Sequence, residues 1–229
     1  MCFSPQADVV AGAVVTAIGV DALRHVTAYR QLPLAVLPIL LAAHEFDEAF
    51  VWWGLRHQVP WSVGHAAVII YLAFAFALPV IGPIAVMSTE TQRRRWATMA
   101  GLLGVGLVIS AMLLVSLFSG PVSARIDGHH IAYATNIVDG PLVAVLYVFA
   151  TCGALLLSSD RRIVIFGALN VVAVLVLAWV MVGGLTSLWC AWAALASIAI
   201  ALYLRGATPN TDGQVRSPSP SRRPSLKPQ

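Results

Sequence analysis

Charge is scarce in this 229-residue chain: 10% of its residues are Asp, Glu, Lys or Arg, against about 25% in an ordinary soluble domain. Lysine is nearly absent, with Lys227 alone beside 13 arginines, a bias that points to a GC-rich bacterial genome. Cysteine is confined to Cys2, Cys152 and Cys190, too few and too scattered for a disulfide framework or a thiolate metal site. No basic segment precedes the first apolar stretch, so a cleavable signal is not expected. No internal repeat is visible, which leaves an inverted-repeat transporter unsupported. With 59% hydrophobic residues and a mean hydropathy of +0.83, these shortages exclude a soluble globular domain, a disordered chain and a coiled coil. No nucleic-acid partner is expected; the partner is the lipid bilayer.

Long apolar runs are what the chain does have. Seven lie at about 6–23, 33–55, 62–87, 98–119, 138–158, 163–183 and 186–204, each long enough to span a bilayer. Spanning segments must satisfy their own backbone groups, so helices are expected. Ser4-Pro5 supplies a cap and a first-turn proline for the first helix. Pro79 and Pro83 predict a kink or early end in the third. Gly183-Gly184 predicts a tight hairpin between the sixth and seventh. Asp127-Gly128 predicts a type I′ turn in the longest loop, about 120–137. Residues 206–229, rich in Pro, Ser and Arg, predict a disordered basic tail. The expected architecture is an all-α integral membrane protein: a seven-transmembrane-helix bundle over 1–205.

Orientation follows from the arginines. With the N-terminus outside, the inner segments hold Arg24, Arg30, Arg93, Arg94, Arg95, Arg161, Arg162 and the tail residues Arg205, Arg216, Arg222, Arg223 and Lys227. That is 12 of the 14 basic residues, and only Arg56 and Arg125 stay outside. The positive-inside rule therefore predicts N-out, C-in, in a bacterial plasma membrane.

The second segment carries His44-Glu45-Phe46-Asp47-Glu48, four ionisable residues inside an apolar span. A central Asp costs about 2.5–3.5 kcal/mol on insertion, and each large aliphatic or Phe returns about 0.3–0.6 kcal/mol. Three carboxyls can cancel what the rest of the span returns, so this helix needs partner helices, protons or an ion. At 100° per residue, Glu48 and Asp47 flank His44 and Glu45 lies to one side. Ile39, Ala42, Phe46, Ala49, Phe50 and Trp53 form an opposite, lipid-facing side. His44 and Glu48 are an i, i+4 pair, and Trp52, Trp53 and Arg56 mark the outer interface.

By topology, Asp8, His65, Asp139, Asn136, His129 and His130 share the outer side with this cluster. Asp8 lies on a stripe with Gly12, Val15 and Gly19 that permits close helix approach. Three readings follow: a buried hydrogen-bonded lock, an outward-opening ligand, ion or proton site, or a metal-dependent enzyme. The ligand or proton site draws on His44, Asp47, Glu48, His65, Asp8 and Asp139. A divalent metal would draw on His44, Glu48, His65, His129 and His130, although the zincin His-Glu-x-x-His is absent because no second His follows. Asp21 with Arg24 and His25 predicts a helix-end ion pair. Asn170 predicts an interhelical hydrogen bond, and Cys152 and Cys190 predict buried small residues.

The opening Met1-Cys2-Phe3-Ser4-Pro5-Gln6-Ala7-Asp8 and the later His44, Glu48 and Trp52 or Trp53 resemble a family of uncharacterised bacterial multi-pass membrane proteins that begin Met-Cys-Phe-Ser. The resemblance covers about 1–90 and implies a seven-helix membrane protein with no assigned activity. It places weight on Cys2, Asp8 and Glu48. Helix count and buried acids also resemble the seven-helix hydrolases that include alkaline ceramidases and progestin and adipoQ receptors. Those carry His-x-x-x-His on the last helix, and this chain has no His there.

The expected function is a sensor or an ion- or proton-coupled binding protein with an outward-facing buried polar site for a small ligand or ion. The alternatives are a membrane-embedded metal-dependent hydrolase and a structural partner subunit of a membrane complex. Oligomeric state leaves no mark in the sequence.

Overall fold

The computed structural model describes residues 4–128, 130–137, 139–180 and 185–206, with backbone only at 177–180 and 185–191. Seven helices appear among them: α1 (Pro5–Arg24), α2 (Leu32–Leu55), α3 (Trp61–Met87), α4 (Arg93–Ser119), α5 (Gly140–Leu156), α6 (Arg161–Val180) and α7 (Leu185–Arg205). Two strands, β1 (Val122–Asp127) and β2 (His130–Thr135), form an antiparallel hairpin between α4 and α5. By length and composition, α1, α3 and α4 are apolar enough to cross a membrane. His129, the Gly183-Gly184 junction, Cys2, the tail beyond 206 and the side chains of Cys190, Trp179 and Trp189 lie outside the described residues.

Local chemistry accounts for the helix ends. Ser4 is extended and its hydroxyl accepts the Ala7 N–H at 3.2 Å, and Pro5 sits where its missing donor costs nothing. At the far end of α2, the Gln58 N–H reaches the Trp53 carbonyl at 2.8 Å and the His57 N–H reaches Gly54 at 3.0 Å. These are the two bonds of a Schellman cap, and His57 takes the left-handed position at φ 57°.

α3 runs through both of its prolines instead of ending early. Pro79 cannot donate to the Ala75 carbonyl, and the Tyr147 hydroxyl of α5 donates there at 2.7 Å. Pro83 leaves the Pro79 carbonyl without its helical donor, and Gly106 of α4 packs directly on it: a Cβ at 106 would stand 2.1 Å from that oxygen. Neighbouring helices thus cover the two defects.

Each helix packs on its neighbours in chain order, α7 returns to α1, and α2 and α3 run through the middle against α7 and α5. At the hairpin end the core joins Val51, Trp52, Val68, Tyr71, Leu117 and Ile131 of β2. At the opposite end it joins Ala22, Leu34, Ala35, Ala85, Ile200 and Leu204.

Four expectations are corrected. The side of α2 read as lipid-facing is mostly its contact with α1. The ring of Phe46 lies on Gly12 and Ile39 lies on Gly19, and Ala42 and Ala49 are buried; only Phe50 of that set is exposed. The two glycines let α1 come close enough to cover this side. Trp52 is in the core at 1% exposure, with the Arg56 guanidinium over its ring at 4.9 Å. Asp21 pairs with Arg205 of α7 at 2.8 Å instead of Arg24, because α1 and α7 are neighbours; His25 keeps its contact with Asp21. In the hairpin, Asp127 pairs with His130, so the turn starts at Gly128. Its φ of +59° is one that glycine adopts without strain.

Candidate functional site: a buried carboxylate triad

α1 and α2 run antiparallel, and the contacts of Gly12 with Phe46 and Gly19 with Ile39 set their register. That register brings Asp8, in the first turn of α1, level with the stretch between Glu48 and Trp52. Glu45 and Glu48 are three apart and share a helix face. The result is a group of three carboxyls from two helices, Asp8, Glu45 and Glu48, with ligand atoms all within 4.8 Å of one another. Among the described residues it is the one place where three side chains of metal-ligand type converge.

The triad is shut off from the surface. Asp8 and Glu45 have no exposure and Glu48 has 1%. Among the described residues, neither oxygen of Asp8 nor of Glu45 has a hydrogen-bond partner, and no Lys or Arg pairs with them. The Trp52 indole lies beside Asp8 without meeting hydrogen-bond geometry. Glu48 accepts a hydrogen bond from the Tyr71 hydroxyl. Buried polar groups left this way are costly, so the triad requires protons or a cation.

An aromatic column flanks it. His44 stacks on Tyr71 with centroids 4.1 Å apart and touches Phe74 at 4.7 Å; Tyr71 stacks in turn on Tyr133 of β2 at 4.7 Å. The hairpin therefore reaches down onto the ring that holds Glu48.

The other sequence candidates lie apart from the triad. His44 faces α3 within the column, and neither ring nitrogen finds a partner among the described residues. Asp47 lines a groove with Phe50 and Ser62 on another side of α2. His65 is exposed and stacks on Trp61 at 4.9 Å. Asp139 is exposed at the start of α5, His130 is part of β2, and His129 lies outside the described residues. Imidazoles and carboxyls are thus not gathered into one metal set among the described residues. Glu45 and Tyr71 are the partners that sequence reasoning left out. The i, i+3 spacing of Glu45 and Glu48 was the available signal.

Two other polar groupings are hydrogen-bonded across elements. The Asn170 amide donates to the Cys152 sulfur at 3.1 Å and accepts from the Trp192 indole, the expected interhelical bond. A cavity of about 490 Å³ between α2, α3, α5, α6 and α7 includes Asn170 and Arg162 in its walls but no Asp, Glu or His. At the end opposite the hairpin, the Glu90 carboxylate accepts from the backbone N–H of Thr91 (2.9 Å), Gln92 (2.8 Å) and Ser159 (2.8 Å) and from the Ser159 hydroxyl (2.5 Å). Burial works against its charge, but these donors outweigh it and hold the carboxyl below the usual range. Arg95 adds bonds to the carbonyls of Leu157 and Ser158, so one clasp ties the α3–α4 and α5–α6 turns.

No curated protein and no solved structure matches the chain. The family model described as "Family of unknown function (DUF6629)" matches residues 1–214, and with that span of its length the chain belongs to this family.

Proposed function

We propose that the protein is a seven-span membrane protein of the bacterial plasma membrane, N-terminus outside and C-terminus inside. In this reading it acts as a sensor or an ion- or proton-coupled binding protein, and its outward-facing site is the carboxylate triad. The observation that carries the proposal is the burial of Asp8, Glu45 and Glu48 together, with the oxygens of Asp8 and Glu45 unpartnered among the described residues. A purely structural lock would spend such groups on hydrogen bonds. The membrane reading is supported by the arginine asymmetry and by outward faces rich in exposed Val10, Val115, Phe118, Val145 and Leu202. The outward direction is supported by the triad's place at the hairpin end, which carries only Arg56 and Arg125 against the many arginines assigned to the other end.

Two measurements test this. In a variant lacking the natural cysteines, a membrane-impermeant thiol reagent applied to intact cells labels Asp127→Cys and spares Arg94→Cys; the reverse pattern overturns the orientation. In purified protein, Tm changes with pH and Glu48→Gln flattens the change, whereas Asp127→Asn does not. A wild type whose stability ignores pH leaves no proton or ion role for the triad.

A further inference from the structure

We infer that Asp8, Glu45 and Glu48 form a site for the hard divalent cation Ca²⁺. This rests on the binding role proposed above and names the ion. Three oxygen ligands with no imidazole or thiolate among them select a hard cation over zinc or copper. Hydration then discriminates. Atoms all within 4.8 Å of one another leave a common point no more than about 2.8 Å from each, within reach of cation–oxygen bonds. Mg²⁺ gives up its waters reluctantly and is seldom held by an all-protein cage, whereas these three carboxyls are shut off from the surface. Carboxylates that bind through both oxygens supply up to six ligands, within the six to eight that Ca²⁺ takes.

Charge points the same way. A divalent ion cancels two of three negative charges, and a monovalent ion leaves two uncancelled. The second observation is the unpartnered state of Asp8 and Glu45 among the described residues, at zero exposure and facing the same point. Among the described residues, the other titratable groups nearby are Tyr71 of α3, Tyr133 of β2 and His44, which stacks on Tyr71, with Asp47 on a different side of α2; Arg56 lies over the Trp52 ring. Asp8 is in the first turn of α1 and Glu48 is two turns from the end of α2, so the path from the hairpin end is about 10 Å.

The test uses the full chain in detergent, stripped with a chelator. Adding Ca²⁺ to saturation raises Tm by about 5–10 °C, Mg²⁺ raises it less, and the response is lost in Asp8→Asn and Glu45→Gln but kept in Asp47→Asn. Should a triad variant fail to fold, Tb³⁺ offers a second readout on the wild type: its emission, excited through Trp52, appears on binding, is competed away by Ca²⁺ and drops in Trp52→Phe. Absence of both the Ca²⁺ shift and competed Tb³⁺ emission, or an equal shift in Asp47→Asn and the triad variants, overturns the inference. If the pH response flattened by Glu48→Gln persists without any divalent response, the ion assignment falls and the proton-binding reading stands. If neither appears, both fall.

Discussion

Replacing Glu45 by glutamine keeps the size of the side chain and removes one of three formal charges held within 4.8 Å. Two unit charges at that separation repel by about 3.5 kcal/mol at an effective dielectric of 20. Glu45 belongs to two such pairs, so the relief is about 7 kcal/mol at that separation when all three carboxyls are ionised. The metal-free wild type escapes part of this by holding protons, at about 1.4 kcal/mol for each pH unit by which a proton is retained. The expected gain for Glu45→Gln near pH 8 is therefore about 1–3 kcal/mol, or about 2–10 °C in Tm for a chain of this length. The new amide donors fall among the Asp8 and Glu48 acceptors, so they are satisfied. Thermal melts followed by tryptophan fluorescence, in chelated buffer across a pH series, measure the difference. It shrinks toward acid, where the wild type carries its protons, and saturating Ca²⁺ reverses the order of the two proteins. A variant less stable than wild type at every pH refutes the reasoning, because the Glu45 carboxyl would then be making net favourable bonds.

Gly106→Ala places a methyl 2.1 Å from the Pro79 carbonyl and forces α3 and α4 apart; a loss of about 1–3 kcal/mol is expected. Gly104→Ala, with nothing within 4 Å, is stabilising and serves as the control in the same melts. Glu90→Gln removes a charge-assisted clasp and costs about 1–3 kcal/mol at neutral pH. Because the folded carboxyl is held low, its contribution is complete above the ordinary carboxylate pKa and is lost as pH falls through the lowered value. Acid melts of Glu90→Gln should therefore lack that limb of the wild-type curve. His57→Gly relieves a left-handed residue in the α2 cap and stabilises by about 0.5–1 kcal/mol, seen as a raised Tm.

The helices were legible because each apolar run is bounded by polar or turn residues, and the Ser4-Pro5 start of α1 states its own cap. The glycine stripe of α1 was legible as a close-approach surface, but its partner was not. Angles around one helix say which side chains share a face and leave open which neighbour covers it. That gap misassigned the Phe46 side of α2 to lipid, and it kept Glu45 out of the site, since Glu45 faces the same neighbour. Asp8 was marked by its position and Glu48 by its depth; only the α1–α2 register joins them. Pro79 and Pro83 read as a kink or an early end, and that the helix continues was not legible because the Tyr147 hydroxyl and Gly106, which cover their defects, are distant in sequence. Asp21 followed the same pattern, taking Arg205 of α7 in place of Arg24 of its own helix.

The β1–β2 hairpin has six residues in each strand, and an isolated two-stranded hairpin is marginal in water. It stays folded on borrowed stability: Ile131 is anchored in the core shared with Trp52, and Tyr133 leans on Tyr71. Tyr71 also bonds Glu48. The amides of 131–134 are therefore tethered through two rings to the charge state of a pocket they do not touch. If the triad takes up a cation, their hydrogen exchange reports it without a label anywhere near the pocket.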